Sequence, residues 1–342
     1  MPKNGIFDDK EGVLWLNGDD KDTREAFSRA SLASLEPIVS GYKTVVIDEA
    51  QRIEDIGLKL KILHDNLGKD IQFVATGSSS FELANKINEP MTGRKRTFWL
   101  PAPSVAELNR WHGYLEEMSN LENRLRYGAY PAVVTDLSDA KITLKEITQD
   151  NLYRDVLTLG NIIKTDYLEK ILKALALQIG SQVNYNELAE LVGLDRKTVE
   201  KYIALLEQSF VIFLLPSFSR NLRNELKKSQ KIYFYDVGVR NALINDFRAS
   251  EIRPDVGGVF ENYIVAELKK KYPTENLYFW RNFDQREVDV IMERDGELSL
   301  FEIKRSSKKM AKIPRAFEEA YRPAKFEVIN AENYLRILSG EE

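Results

Sequence analysis

The chain has 342 residues, 43% hydrophobic and 30% charged, a balance that builds buried cores and excludes a wholly disordered polymer. It has no Cys and two His, His64 and His112, which excludes disulfides, thiolate metal sites, Cys nucleophiles and multi-histidine centres. Its 49 Lys and Arg against 53 Asp and Glu leave a net charge of −4, so it is no uniformly basic nucleic-acid coat. No apolar run reaches the roughly 18 residues of a membrane span, and the Met1-Pro2-Lys3-Asn4 start has no signal-peptide character. The expected location is the cytoplasm, with no membrane partner. Chemistry must rest on Asp, Glu, Lys, Arg or hydroxyls, with or without an oxygen-liganded cation.

At roughly 150 residues per domain the length allows two or three domains. The sequence grammar changes near residues 112 and 250, which gives expected domains 1–112, 113–250 and 251–342. In the first, Val13-Leu14-Trp15-Leu16, Thr44-Val45-Val46-Ile47 and Ile71-Gln72-Phe73-Val74-Ala75 are short apolar runs. Such runs suit strands buried on both faces of a parallel sheet. Helix-length segments, Thr23–Val39 and Asp55–Leu67, lie between them, so the order is α/β.

The second run ends in Asp48-Glu49. In phosphoryl-transfer proteins this arrangement puts an Asp near Mg²⁺ and a Glu near the attacking water. The plain alternative is a strand end that caps the next helix. The third run ends in Thr76-Gly77-Ser78-Ser79-Ser80, hydroxyls suited to touch a phosphate or position a water, and Glu89–Arg96 carries cations that answer phosphate charge. In order, Val45-Val46-Ile47-Asp48-Glu49-Ala50-Gln51, Ala75-Thr76-Gly77-Ser78-Ser79-Ser80 and Met91-Thr92-Gly93-Arg94 resemble the Walker B, sensor and arginine segments of a prokaryotic AAA-type ATPase family. Its members carry a C-terminal domain of unknown function. The resemblance implies that Asp48 and Glu49 are the Walker B pair, Ser78 a sensor-like residue and Arg94 an arginine finger, with ATP as ligand. One part is missing: no G-x-x-x-x-G-K-[ST] loop occurs anywhere in the chain. That loop supplies the backbone N–H groups and the Lys that hold the β- and γ-phosphates. Without it a carboxylate pair repels a triphosphate. The expected fold here is a truncated P-loop-type parallel sheet whose nucleotide site is a relic, with weak or absent ATP binding. The other reading is a working ATPase whose loop was lost from this sequence.

The middle stretch is helical in period. Tyr167–Ile179 puts Leu168, Ile171, Leu172, Leu175 and Ile179 on one stripe, and loops are expected at Asn161–Thr165 and around Pro216. Asn186–Val192 reads as a helix, Gly193-Leu194-Asp195 as a turn and Arg196–Leu206 as a second helix, followed by a strand at Val211–Leu215. This is winged-helix order. It places Arg196, Lys197 and Lys201 on the outer side of the second helix, where major-groove contacts to DNA are made. Residues 220–231 add five positive charges against one negative. The alternative is a rigid interdomain or protein-binding module.

In the last stretch Gly257-Gly258 and a helix, Val259–Lys271, precede strands at about 277–281, 287–293 and 298–304. Asp295-Gly296 between two apolar runs is a hairpin signal. A turn centred there sets Asp289 opposite Glu302 and Glu287 opposite Lys304, and Glu302 and Lys304 share a face. Two carboxylates, Asp289 and Glu302, can hold Mg²⁺ or Mn²⁺, and Lys304 can orient water or neutralise charge. Glu261 on the preceding helix offers a third carboxylate. The order Glu261, Asp289, Glu302-Ile303-Lys304 resembles the PD-(D/E)xK nuclease superfamily. That resemblance implies a restriction-endonuclease-like α/β domain with Glu261, Asp289, Glu302 and Lys304 as its catalytic set. Basic residues at 304–325 suit a phosphate backbone. The alternative is a cross-strand ion-pair network in a non-catalytic DNA- or protein-binding module. His64, His112, Trp15, Trp99, Trp111 and Trp280 read as packing or surface residues.

Overall fold

The computed structural model describes residues 12–77, 93–152, 165–220, 230–308 and 311–340. The chain divides into two units, residues 1–99 and 100–342. In the first, the three apolar runs become β1 (Val13–Asn17), β2 (Thr44–Asp48) and β3 (Gln72–Ala75), a parallel sheet in that order. The single helix expected over 23–39 is two, α1 (Lys21–Ala26) and α2 (Leu32–Val39). At the start of α2 the hydroxyls of Ser31 and Ser34 bond each other and Ser34 bonds the Arg29 and Ser31 carbonyls, a local competition that interrupts helices. α3 (Ile56–Leu67) follows. Phe27, Leu35, Val45, Ile47, Ile56 and Leu63 form a fully buried core.

The second unit begins with short helices, α4 (Val105–His112), α5 (Tyr114–Ser119), α6 (Leu121–Tyr127), α7 (Pro131–Thr135) and α8 (Ala140–Glu146). Then come α9 (Thr165–Leu177), α10 (Tyr185–Val192) and α11 (Arg196–Gln208). On α9, Leu168, Ile171, Leu172 and Leu175 are buried on the expected stripe. The loop expected over 161–165 lies outside the described residues except for Thr165, which opens α9. Asn184 caps α10 through its side chain, Gly193 ends it at φ +74°, where glycine is favoured, and Asp195 caps α11. Ala189, Val199, Ile203 and Leu206 are buried between the elements. β4 (Ile212–Pro216) pairs antiparallel with β5 (Gln230–Phe234). Pro216 is therefore the last strand residue, opposite Gln230, rather than part of a loop. Having no N–H to give, it stands where a ladder can end.

After α12 (Val237–Leu243), α13 (Val256–Lys271) packs on a four-stranded sheet of β6 (Asn276–Arg281), β7 (Glu287–Arg294), β8 (Glu297–Ile303) and β9 (Lys325–Ile329), in that order. The first three strands are antiparallel and β9 joins parallel to β8. Asp295 and Gly296 have φ of +51° and +83°, the two left-handed positions that a tight I′-type hairpin needs. Phe301 and Ile303 face the α13 core, and Leu298 and Leu300 pack with Phe317 of α14 (Arg315–Tyr321). α15 (Tyr334–Ser339) closes the α13 core through Leu335 and Leu338. Among the described residues no helix is long and apolar enough to cross a membrane.

Candidate functional site

In the first unit the carboxyl end of β2 forms a tight corner. Asp48 accepts a short hydrogen bond from the Thr76 hydroxyl, and Thr76 N–H donates to Ile47 O at 2.9 Å. Glu49 sits at φ +47°, a conformation costly for a side-chain-bearing residue, and accepts from Gln51 Nε2 at 2.5 Å. Gly18 touches the same corner: a Cβ there would lie 2.2 Å from Glu49 O, so only glycine fits. Asp48 and Glu49 are thus held at one strand end, as expected. The hydroxyl beside them is Thr76; Ser78 lies outside the described residues. Arg94 donates to Asp65 of α3 at 2.5 Å, and this contact holds the Asp65 carboxyl below its ordinary range.

In the second unit Asp289, Glu302 and Lys304 converge. The β7–β8 ladder runs from Arg294 opposite Glu297 to Val290 opposite Phe301, the register that the Asp295-Gly296 turn dictates. One step further the Asp289 side chain takes over from the backbone: its Oδ2 accepts the Ile303 N–H at 2.7 Å. Lys304 Nζ lies 2.6 Å from Glu302 Oε1 and 3.5 Å from Asp289 Oδ2. Glu287 does not meet Lys304, as simple extrapolation of the register expects. It pairs instead with Lys231 of β5 and, at 3.6 Å, with Arg281 of β6. Glu261, on α13, accepts from Tyr233 Oη at 2.7 Å and Lys231 Nζ at 3.1 Å.

The electrostatics match this crowding. Burial, then repulsion from Asp289, pushes the Glu302 carboxyl above its ordinary range against the pull of Lys304. Burial also raises Glu261, and Asp289 adds to it, although Lys231 and the Tyr233 hydroxyl pull the other way. Burial opposes the charge on Lys304, but Asp289 and Glu302 outweigh it and hold the ammonium above its ordinary range. A carboxyl raised in the folded chain destabilises it progressively as pH climbs through that raised value. Glu302→Gln is therefore expected to gain thermal stability relative to the parent as pH rises from about 4 to 7. Paired melting curves check this; a parent-minus-variant difference flat across that range would oppose it.

The carboxylates also have the donor chemistry of a divalent-cation site. Asp289 Oδ1 and Glu302 Oε2 accept no hydrogen bond among the described residues, while their sister oxygens are engaged. Among the described residues no group of three or more Asp, Glu or His is placed to hold a metal ion by itself. Two carboxylates still fit Mg²⁺ or Mn²⁺, which commonly take one or two and complete their shell with water and phosphate oxygens.

On α11, Arg196 is tied to Glu200 at 2.7 Å, whereas Lys197 and Lys201 are exposed. The residue the sequence reading misjudged is Lys231. Counted among the positive charges of 220–231, it is 3% exposed and belongs to the interior of the carboxylate cluster. The available signal was its setting, Lys231-Ile232-Tyr233-Phe234: a charge in an apolar strand is buried only with partners.

Similarity to other proteins follows the same layout. Residues 3–109 match the model described as "AAA domain". Residues 118–250 match "Domain of unknown function (DUF8612)" and residues 256–339 match "Domain of unknown function (DUF4143)". Uncharacterized proteins of Mycobacterium bovis and Mycobacterium tuberculosis are each 28% identical over 77% of this chain, which spans 59% of their length. An uncharacterized protein of Haemophilus influenzae is 23% identical over 84% of this chain and 73% of its own. No solved structure matches the chain. The chain thus matches an AAA-domain model over its N-terminal segment, followed by two segments that match domains of unknown function.

Proposed function

We propose that the C-terminal sheet hydrolyses phosphodiester bonds of DNA with a divalent cation, in a chain whose N-terminal segment resembles an AAA domain. The observation that carries this reading is the convergence of Asp289, Glu302 and Lys304 at one end of the β7–β8 hairpin. Asp289 and Glu302 would hold Mg²⁺ or Mn²⁺, which when bound polarises a phosphate and makes a bound water more acidic. Ile303 N–H fixes the Asp289 carboxylate, so its orientation does not depend on the ligand. Lys304 binds the anionic phosphate and steadies the negative charge that develops as water adds to phosphorus and one P–O ester bond breaks. The products are a phosphate monoester and an alcohol. Domains 1–112, 113–250 and 251–342 divide the labour. The winged-helix-like α10–α11 and β4–β5 segment contacts DNA through Lys197 and Lys201, with Arg196 partly committed to Glu200. Asp48 and Glu49, without a phosphate loop, bind ATP weakly or not at all.

A second reading is a DNA- or protein-binding module without turnover. Its support is that Lys304 is engaged with both carboxylates, the closed network that an ion-pair role needs. Incubation of the chain with supercoiled and single-stranded DNA and Mn²⁺ separates the two. Nicking that depends on the cation and disappears in Lys304→Met is the expected result. Binding without cleavage, unchanged in that variant, would favour the module.

A further inference from the structure

Lys231 has the position of a cation rather than of a surface charge. It is 3% exposed and projects from β5, a strand outside the β6–β9 sheet, yet its ammonium reaches two carboxylates of the cluster. Glu261 Oε1 of α13 is 3.1 Å away, and Glu287 Oε1 of β7 is closer still. Tyr233, two residues on along β5, donates to the same Glu261 oxygen at 2.7 Å, and Arg281 approaches Glu287 Oε2 at 3.6 Å. Gly180 closes one side: at φ +71°, a Cβ there would lie 3.3 Å from Glu261 Oε1. An ammonium ion is compact, and here it stands between two carboxylates as a bound ion does.

From this geometry we infer that the Lys231 ammonium is a built-in cation that fills a second ion position, between Glu261 and Glu287, and so restricts divalent cations to the Asp289–Glu302 side of the cluster. The filled position adds to the proposed phosphodiester chemistry, because a site so arranged works with one exchangeable cation and one fixed positive charge. Two carboxylates that would otherwise repel each other are bridged by one ammonium, with Arg281 supplying a second positive charge at Glu287, without recruiting an ion from solution. Burial opposes the ammonium charge, but Glu261 and Glu287 outweigh it and hold it charged.

The test is Mn²⁺ stoichiometry read by electron paramagnetic resonance on the full chain. Lys231→Met is expected to bind one Mn²⁺ more than the parent, and Lys231→Met with Glu287→Gln is expected to return to the parent value. Lys231→Arg, which keeps the charge, is expected to match the parent. A folded Lys231→Met protein, checked by circular dichroism, with the parent stoichiometry would overturn the proposal. So would loss of one Mn²⁺ from the parent on Glu287→Gln alone, a result that needs no change at Lys231 and stands if Lys231→Met does not fold. Whether the parent binds Mn²⁺ through Asp289 and Glu302 is read separately, from Asp289→Asn, so failure of the nuclease reading leaves this outcome distinct.

Discussion

Asp289→Asn is expected to slow cation-dependent DNA cleavage by on the order of 10²–10³ and leave the fold nearly as stable, whereas Asp289→Ala is expected to lower both cleavage and stability. The split follows from the two jobs of one carboxylate. Asp289 Oδ2 accepts the buried Ile303 N–H at 2.7 Å and faces Lys304 at 3.5 Å. An Asn oxygen still accepts from Ile303, so the β7–β8 end stays closed, but the charge that would hold a cation and that pairs with Lys304 is gone. Loss of a preorganised electrostatic group of this kind costs on the order of 10²–10³ in rate. Ala also removes the acceptor, and a buried N–H left without a partner costs about 1–3 kcal/mol. Cleavage rates and urea midpoints for the two variants check the split. Cleavage by Asp289→Asn within about tenfold of the parent, on the scale of an effect on electrostatic groups, would remove Asp289 from the chemistry.

The parts legible in the sequence are those set by local rules. Asp295-Gly296 set the hairpin register through its two left-handed residues, and that register, completed by the Asp289 bond to Ile303 N–H, brought residues 289, 302 and 304 together. Asn184, Gly193 and Asp195 marked the ends of α10 and α11 through capping chemistry. Extrapolation failed where the ladder stopped. Past Val290 a side chain replaced the backbone acceptor, and Glu287 turned to another strand. Lys231 was illegible for a related reason: its partners are 30 and 56 residues away and reach it only through tertiary packing. In the first unit the Asp48-Glu49 corner was readable, and Thr76, the first hydroxyl of the run that ends β3, stands beside it. Arg94 found Asp65, a contact that no spacing rule predicts.

The same tertiary logic yields the largest stability effect expected in the second unit. Arg124 of α6 and Glu117 of α5 are 2% and 0% exposed and form a two-pronged pair, Nε to Oε1 and Nη2 to Oε2, both at 2.8 Å. Burial opposes the guanidinium charge, but Glu117 outweighs it and holds Arg124 above its ordinary range. His112 Nδ1 lies 3.2 Å from Glu117 Oε2, and the Tyr334 hydroxyl of α15 reaches Glu117 O at 3.4 Å, so the pair ties α5 and α6 to the last helix. Arg124→Met leaves Glu117 buried with only the His112 ring nitrogen beside its carboxylate, at a cost of about 3–5 kcal/mol. For a unit of this size that lowers Tm by on the order of 10 °C. Adding Glu117→Gln removes the stranded charge and is expected to recover a large part of the loss, because a buried pair replaced whole costs far less than one broken. Differential scanning calorimetry of the two variants decides it. A double variant no more stable than Arg124→Met would mean that packing of the long Arg side chain, rather than charge, is what the interior needs there.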